Sequence, residues 1–174
     1  MKHFLIVIDM QKDFVDGALG TAEAVAVVPN VVNKIEDFDG EIFATLDTHF
    51  DNYLQTAEGA HLPVAHCIKD TDGWQLNHDV AAALEKKGYT PVEKLTFGST
   101  DLPGLIEKAA GGEAFTLELV GLCTDICVVS NALLLKAHFR EMPISVDAAC
   151  CAGVTPEKHA AAIETMKSCQ IEIK

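Results

Sequence analysis

The run His3–Ile8 (HFLIVI) is apolar at successive positions and is stopped at once by Asp9. It narrows the possible folds more than any other segment. A strand without polar alternation has to be covered on both faces, and the interior of a parallel sheet with helices on either side supplies that cover. Glu41–Leu46, Phe115–Leu119 and Pro143–Val146 read the same way, with weaker strands at Thr90–Glu93 and Ile171–Ile173. Between them fall stretches of helical period at roughly 22–35, 77–86, 102–110, 124–139 and 155–168. Strands alternating with helices predict βαβ units feeding one sheet, an α/β fold. The last helix is the best punctuated. Thr155 is its N-cap, Pro156 its first residue, and His159, Ala162, Ile163 and Met166 share one face for packing.

With 174 residues, 49% of them apolar, the chain is read as one domain, 1–174. At that size folding buries about 70% of the unfolded surface, so neither a disulfide framework nor a structural metal is needed for stability. A formal charge of −13 leaves no basic stripe for phosphates and argues against a nucleic-acid partner. The run Phe4–Ile8 is far short of the ~20 residues that cross a bilayer, so no membrane partner is expected. Six cysteines without regular spacing, Cys150 and Cys151 adjacent, do not resemble a secreted scaffold and fit a reducing cytoplasm.

No internal repeat or linker divides the chain, but Asp47–Trp74 has no convincing periodicity and is dense in His, Asp, Glu and Gly. A loop of that length inside a domain is usually functional or disordered, and its LPVAHC core and Trp74 argue for ordered and functional. Open parallel sheets bind ligands beyond the carboxyl ends of their strands. The residues there are Asp9, Asp47, Lys94 and the segment Cys123–Cys127. Asp9 is a candidate general base, with a capping carboxylate as the plainer reading. Lys94 alone would be a solvated surface group. Its weight comes from the segment that follows in sequence, where Thr124 is a natural N-cap and Cys127 lies in the first turn of an apolar helix. A helix N-terminus stabilises a thiolate, so a lowered Cys127 pKa is expected. Cys67, Cys123, Cys150, Cys151 and Cys169 are read as buried and inert. A redox pair of Cys123 with Cys127 is open, although the spacing is not CxxC. Asp47, His49, Glu58 and His66 form a candidate metal cluster of oxygen and imidazole ligands suited to Zn, Mn or Fe. His61 is a substitute ligand, and hydrogen-bonding loop residues are the alternative for the whole set. His78 is read as a surface residue.

Together DMQKDF (9–14), DTH (47–49), PVAHC (63–67), KLTFGS (94–99) and GLCTDICV (121–128) resemble the isochorismatase-like cysteine hydrolases, most closely the nicotinamidases. The resemblance covers nearly the whole chain. It implies a three-layer α/β/α sandwich with six parallel strands in the order 3-2-1-4-5-6. It also implies a triad of Asp9, Lys94 and Cys127, and a cis peptide before Cys123 that turns the amides of Cys123 and Cys127 into an oxyanion hole. The implied metal ligands are Asp47, His49 and His66, with Glu58 as an acidic fourth. Zn is placed first, with Mn or Fe behind it. Phe14 matches a ring contact. The chain departs from the pattern at Leu62, where nicotinamidases commonly carry Trp, and at Asp70, where Gly is usual; Trp74 is the candidate to replace the aromatic wall. Isochorismatases themselves lack the nucleophilic Cys. The expectation is therefore a metal-assisted amidohydrolase that converts nicotinamide to nicotinate and ammonia in NAD salvage, in a cytoplasmic homo-oligomer with a small amide as its ligand. The alternatives are another small amide or N-carbamoyl substrate, or a non-catalytic metal-binding module.

Overall fold

The computed structural model describes residues 1–174. Six parallel strands make one sheet in the order β3-β2-β1-β4-β5-β6: β1 Lys2–Ile8, β2 Glu41–Asp47, β3 Thr90–Lys94, β4 Phe115–Leu122, β5 Ile144–Ala152 and β6 Glu172–Ile173. The expected strand order and α/β/α layering are both present. β1 lies inside the sheet, and its side chains alternate between two separate cores. Phe4, Ile6 and Ile8 join the core under α5 (Leu102–Ala110), α6 (Val129–His138) and α7 (Pro156–Ser168). Leu5 and Val7 join the core under α2 (Ala22–Asp37) and α4 (His78–Lys87). That is why the run shows no polar alternation.

Two short helices, α1 (Lys12–Val15) and α3 (Ala57–His61), and a 3₁₀ turn at Tyr53–Gln55 were not expected. Each is too short for a helical period to show. α3 starts at Thr56, whose hydroxyl accepts the Gly59 N–H as an N-cap. At α7 the expected cap is present, with the Thr155 hydroxyl accepting the Lys158 N–H.

The strand ends are in register. Asp47 pairs with Lys94 across β2 and β3, and Ile8 pairs with Gly121 across β1 and β4. Gly121 has φ +118°, and a Cβ there would stand 2.1 Å from the Ile8 carbonyl oxygen, so only glycine lets β4 approach β1 at this level. β4 and β5 run further than their apolar patterns predict. Between the pairs Leu119/Val146 and Gly121/Cys151, two residues of β4 span five of β5. The bulge includes Asp147, whose carboxylate meets Lys34 of α2 at 2.9 Å, and Lys34 also meets Glu118 of β4 at 2.6 Å.

Candidate active site

Asp9 is the first residue after β1. Its φ of +47° lies in the left-handed region that Asp tolerates better than most residues. The carboxyl group is fully buried. Oδ1 accepts the Thr45 hydroxyl at 2.6 Å, and Oδ2 lies 2.6 Å from Lys94 Nζ without accepting an aligned hydrogen bond. Lys94 Nζ also stands 3.2 Å from Asp47 Oδ1 and 3.5 Å from Cys127 Sγ, and it donates to the Thr96 carbonyl. A carboxylate, an ammonium and a thiol are thus brought together out of water.

Their protonation follows from this burial. Desolvation pushes the Asp9 carboxyl up, against the opposing pull of Lys94. The Cys127 thiol is raised well above its usual value, first by burial and then by the Asp9 charge, with Lys94 opposing. The expectation of a lowered Cys127 pKa is therefore corrected, because burial and the carboxylate outweigh the helix terminus. Burial also works against the Lys94 ammonium, but Asp9, Cys127 and Asp47 overcome it and hold Lys94 charged.

Cys127 sits in a wide turn, Thr124–Val128, in which the Ile126 and Val128 N–H groups both donate to the Cys123 carbonyl. Thr124 does not cap this turn. Its hydroxyl shares a 2.8 Å hydrogen bond with His159 Nδ1 of α7. The Leu122–Cys123 peptide is cis, and the Cys123 N–H has no acceptor within the protein. Asn131 of α6 fastens the turn to the segment after Lys94. It donates to the carbonyls of Cys127 and Phe97 and accepts the Ser99 N–H.

Asp47, His49, Glu58 and His66 converge, with ligand atoms all within 4.8 Å of one another. Asp47 Oδ2 is 2.8 Å from His49 Nε2 and 3.7 Å from His66 Nε2, and Glu58 Oε1 is 3.5 and 3.7 Å from the same nitrogens. A tetrahedral zinc site with bonds of ~2.0–2.1 Å has ligand-to-ligand edges of about 3.4 Å, so the donor set fits such an ion. The Val64 carbonyl takes the His66 Nδ1–H at 2.7 Å and leaves Nε2 facing the cluster. Burial works against the charged form of His66, but the hydrogen bonds to Asp47 and the Val64 carbonyl, with the Asp47 and Glu58 charges, together outweigh it and raise the imidazole pKa. The same neighbourhood draws Asp47 far below the carboxylate range, its His49 and His66 hydrogen bonds outweighing burial, while burial raises Glu58. His61 is exposed, bonded to Ala57, and outside the cluster; His78 is an exposed residue beside Asp79.

Three supports are not among the residues singled out from the sequence. The buried Gln11 side chain accepts the Asp47 N–H and donates to the Asp47 and Trp74 carbonyls, clamping the end of β2. Asp13 accepts the Cys67 N–H and holds the loop that carries His66. Tyr53 packs its ring edge-on against His49 and His66 and donates to the Leu62 carbonyl. Their place inside the DMQKDF segment is the available hint for Gln11 and Asp13, and Tyr53 has none.

A cavity of about 270 Å³ opens over Cys127 and the metal cluster, with Phe14, Leu62 and Cys123 in its wall. Trp74 is not in that wall. Its indole N–H donates to the Thr48 hydroxyl and its ring packs on the core under α2 and α4, so it does not replace the aromatic side chain absent at 62. Cys169, expected to be buried, is exposed after α7, and all six thiols are free.

The comparisons with known proteins agree with this architecture. The isochorismatase domain model matches residues 3–173. A Bacillus subtilis protein described as the uncharacterized isochorismatase family protein PncA is 31% identical over 94% of this chain and 93% of its own length. The crystal structure of the nicotinamidase/pyrazinamidase PncA from Bacillus subtilis is 27% identical, covers 99% of both chains and superposes with a TM-score of 0.84. The Pyrococcus horikoshii pyrazinamidase in complex with zinc is also 27% identical, covering 100% of this chain and 99% of its own, at a TM-score of 0.81. With the family model spanning nearly every residue and the sheet order matching, the chain belongs to the isochorismatase domain family of hydrolases.

Proposed function

We propose that this chain hydrolyses nicotinamide to nicotinate and ammonia through a Cys127 thioester, returning the pyridine ring to NAD synthesis. The observation that carries the reading is the contact of Asp9, Lys94 and Cys127 beneath a small cavity bounded by the four-ligand cluster. A raised carboxyl pKa next to a raised thiol pKa suits Asp9 to take the Cys127 proton at the moment of attack, rather than to store a thiolate. The sulfur then bonds to the carboxamide carbon and the carbonyl electron pair moves to oxygen. The unbonded Cys123 N–H, with that of Cys127, receives the oxyanion. When the C–N bond breaks, Asp9 passes its proton to the leaving ammonia. Asp9 next deprotonates a water that attacks the thioester, releasing nicotinate and the thiol. Lys94 favours the ionised form of Asp9 before each proton abstraction and holds the carboxyl group in place.

Asp47, His49, Glu58 and His66 would hold a divalent ion, zinc first by donor chemistry. When bound, the ion offers a Lewis-acidic anchor for the ring nitrogen. The names of the relatives support the substrate: nicotinamidase and pyrazinamidase at 27% identity, one of them in complex with zinc. Leu62 favours a second reading on the same triad, a small amide other than nicotinamide, because the wall there is aliphatic. A non-catalytic metal-binding module has no use for a buried base, cation and thiol in contact. The test is ammonia release from nicotinamide by purified protein of measured metal content, beside a panel of small amides. Release from nicotinamide supports the first reading; release only from other amides supports the second.

A further inference from the structure

The cavity wall holds one cation that the proposed chemistry does not use, Lys158. Asp47, Glu58 and His66 of the metal cluster line the same cavity, while the rest of the wall is mainly apolar, including the rings of Phe14 and Phe97 and the side chains of Leu19, Ile126 and Val154. Lys158 has no carboxylate within 4.0 Å, so its ammonium is uncommitted. Its backbone is nonetheless fixed. The Lys158 N–H donates to the Thr155 cap, the next residue, His159, is bonded to Thr124, and Asp125 accepts the Val154 N–H. Thr124 and Asp125 belong to the turn that carries Cys127, so the lysine is mounted on the same frame as the nucleophile.

We propose that Lys158 is a specificity-determining residue: it binds an anionic substituent on the substrate, selecting small amides that carry a carboxylate away from the scissile carboxamide. This rests on the amidohydrolase reading above for its reaction, but not for its binding. An exposed, flexible ammonium beside the apolar part of the wall adds little to a neutral ring and a charge-assisted hydrogen bond to a carboxylate. The contact is solvent-exposed, so its effect should be screened by salt.

The test compares 5-carboxynicotinamide with 5-methylnicotinamide, which fills the same position without charge. The wild-type kcat/KM should favour the carboxylated amide. Lys158→Gln should reduce that ratio about 10-fold, the scale of one charge-assisted hydrogen bond, and Lys158→Arg should restore most of it. The ratio should also shrink as NaCl is raised. Calorimetric binding of pyridine-3,5-dicarboxylate against nicotinate, in wild type and Lys158→Gln, reads the same preference without turnover. A wild-type ratio at or below one, or a ratio unmoved by Lys158→Gln, overturns the proposal. If none of these amides, nicotinamide and the small-amide panel included, releases ammonia, the amidohydrolase reading fails, and the binding comparison still decides whether Lys158 selects the anion.

Discussion

Asp9 shows how much one side chain's setting decides. The Thr45 hydroxyl lowers the carboxyl pKa and burial raises it. Thr45→Val removes the lowering influence at nearly constant volume, so the acidic limb of kcat/KM should move to higher pH, where Asp9 first becomes a base. A pH profile superimposable on wild type would remove Asp9 from that limb. Cys127→Ala should abolish ammonia release while the circular dichroism spectrum and melting temperature stay close to wild type. Cys123→Ala should keep substantial activity, since its backbone amide is the part in use. The opposite pattern would transfer the nucleophile to Cys123. At this scale the sequence was informative where a residue closes a strand: Asp9, Lys94 and Asp47 are legible because an apolar run stops at them. Thr45 and Gln11 were not. Both act on residues of a different strand, and which strand lies alongside is a property of the sheet order rather than of the local run.

Among the elements, the loop between β2 and α4 carries His49, Glu58 and His66 and is fastened by Asp13, Tyr53 and Gln11. Its length and composition marked it as functional, but its internal turns were illegible because one-turn helices leave no period to read. If this loop serves substrate placement, stripping metal with a chelator should lower kcat/KM for nicotinamide more than for benzamide, which has no ring nitrogen. Kinetics of both amides before and after treatment check this, with circular dichroism to follow folding. Equal proportional losses would assign the cluster a structural or general role. His66→Ala should reproduce the selective loss, since alanine offers no ligand. The turn at Cys127 taught the opposite lesson to the loop. Its position before an apolar helix was readable, yet the electrostatics were reversed by burial, which no local pattern reports.

Across the whole molecule, the sheet is tied on the α2 side by Lys34 and Lys174, which both meet Glu118, with Asp147 completing the group. Burial would raise Glu118, but the hydrogen bonds from Lys174 and Lys34 outweigh it and the net shift is downward. A carboxyl group whose folded pKa is depressed adds stability above its unfolded pKa of ~4.3, and that contribution disappears as pH falls through the folded value. Glu118→Gln should therefore cost about 1–3 kcal/mol near neutral pH. The gap to wild type should close below about pH 4. Urea unfolding of both proteins at the two pH values measures it; a gap independent of pH would mean that packing, not charge, is lost.

Asp9, Asp47 and Lys94 stand at the ends of β1, β2 and β3, and Cys127 in the turn that follows β4, so the site draws on four neighbouring strands of the sheet. A slip of one residue in β2 or β3 moves Asp47 or Lys94 about 3.3 Å and turns it to the other face, and a slip in β1 or β4 shifts the segment that carries Asp9 or Cys127 by the same step. Under the proposed chemistry, ammonia output is then a gauge of alignment across those strands, so variant libraries of this chain can be screened for correct assembly with a colorimetric assay in place of a structural probe.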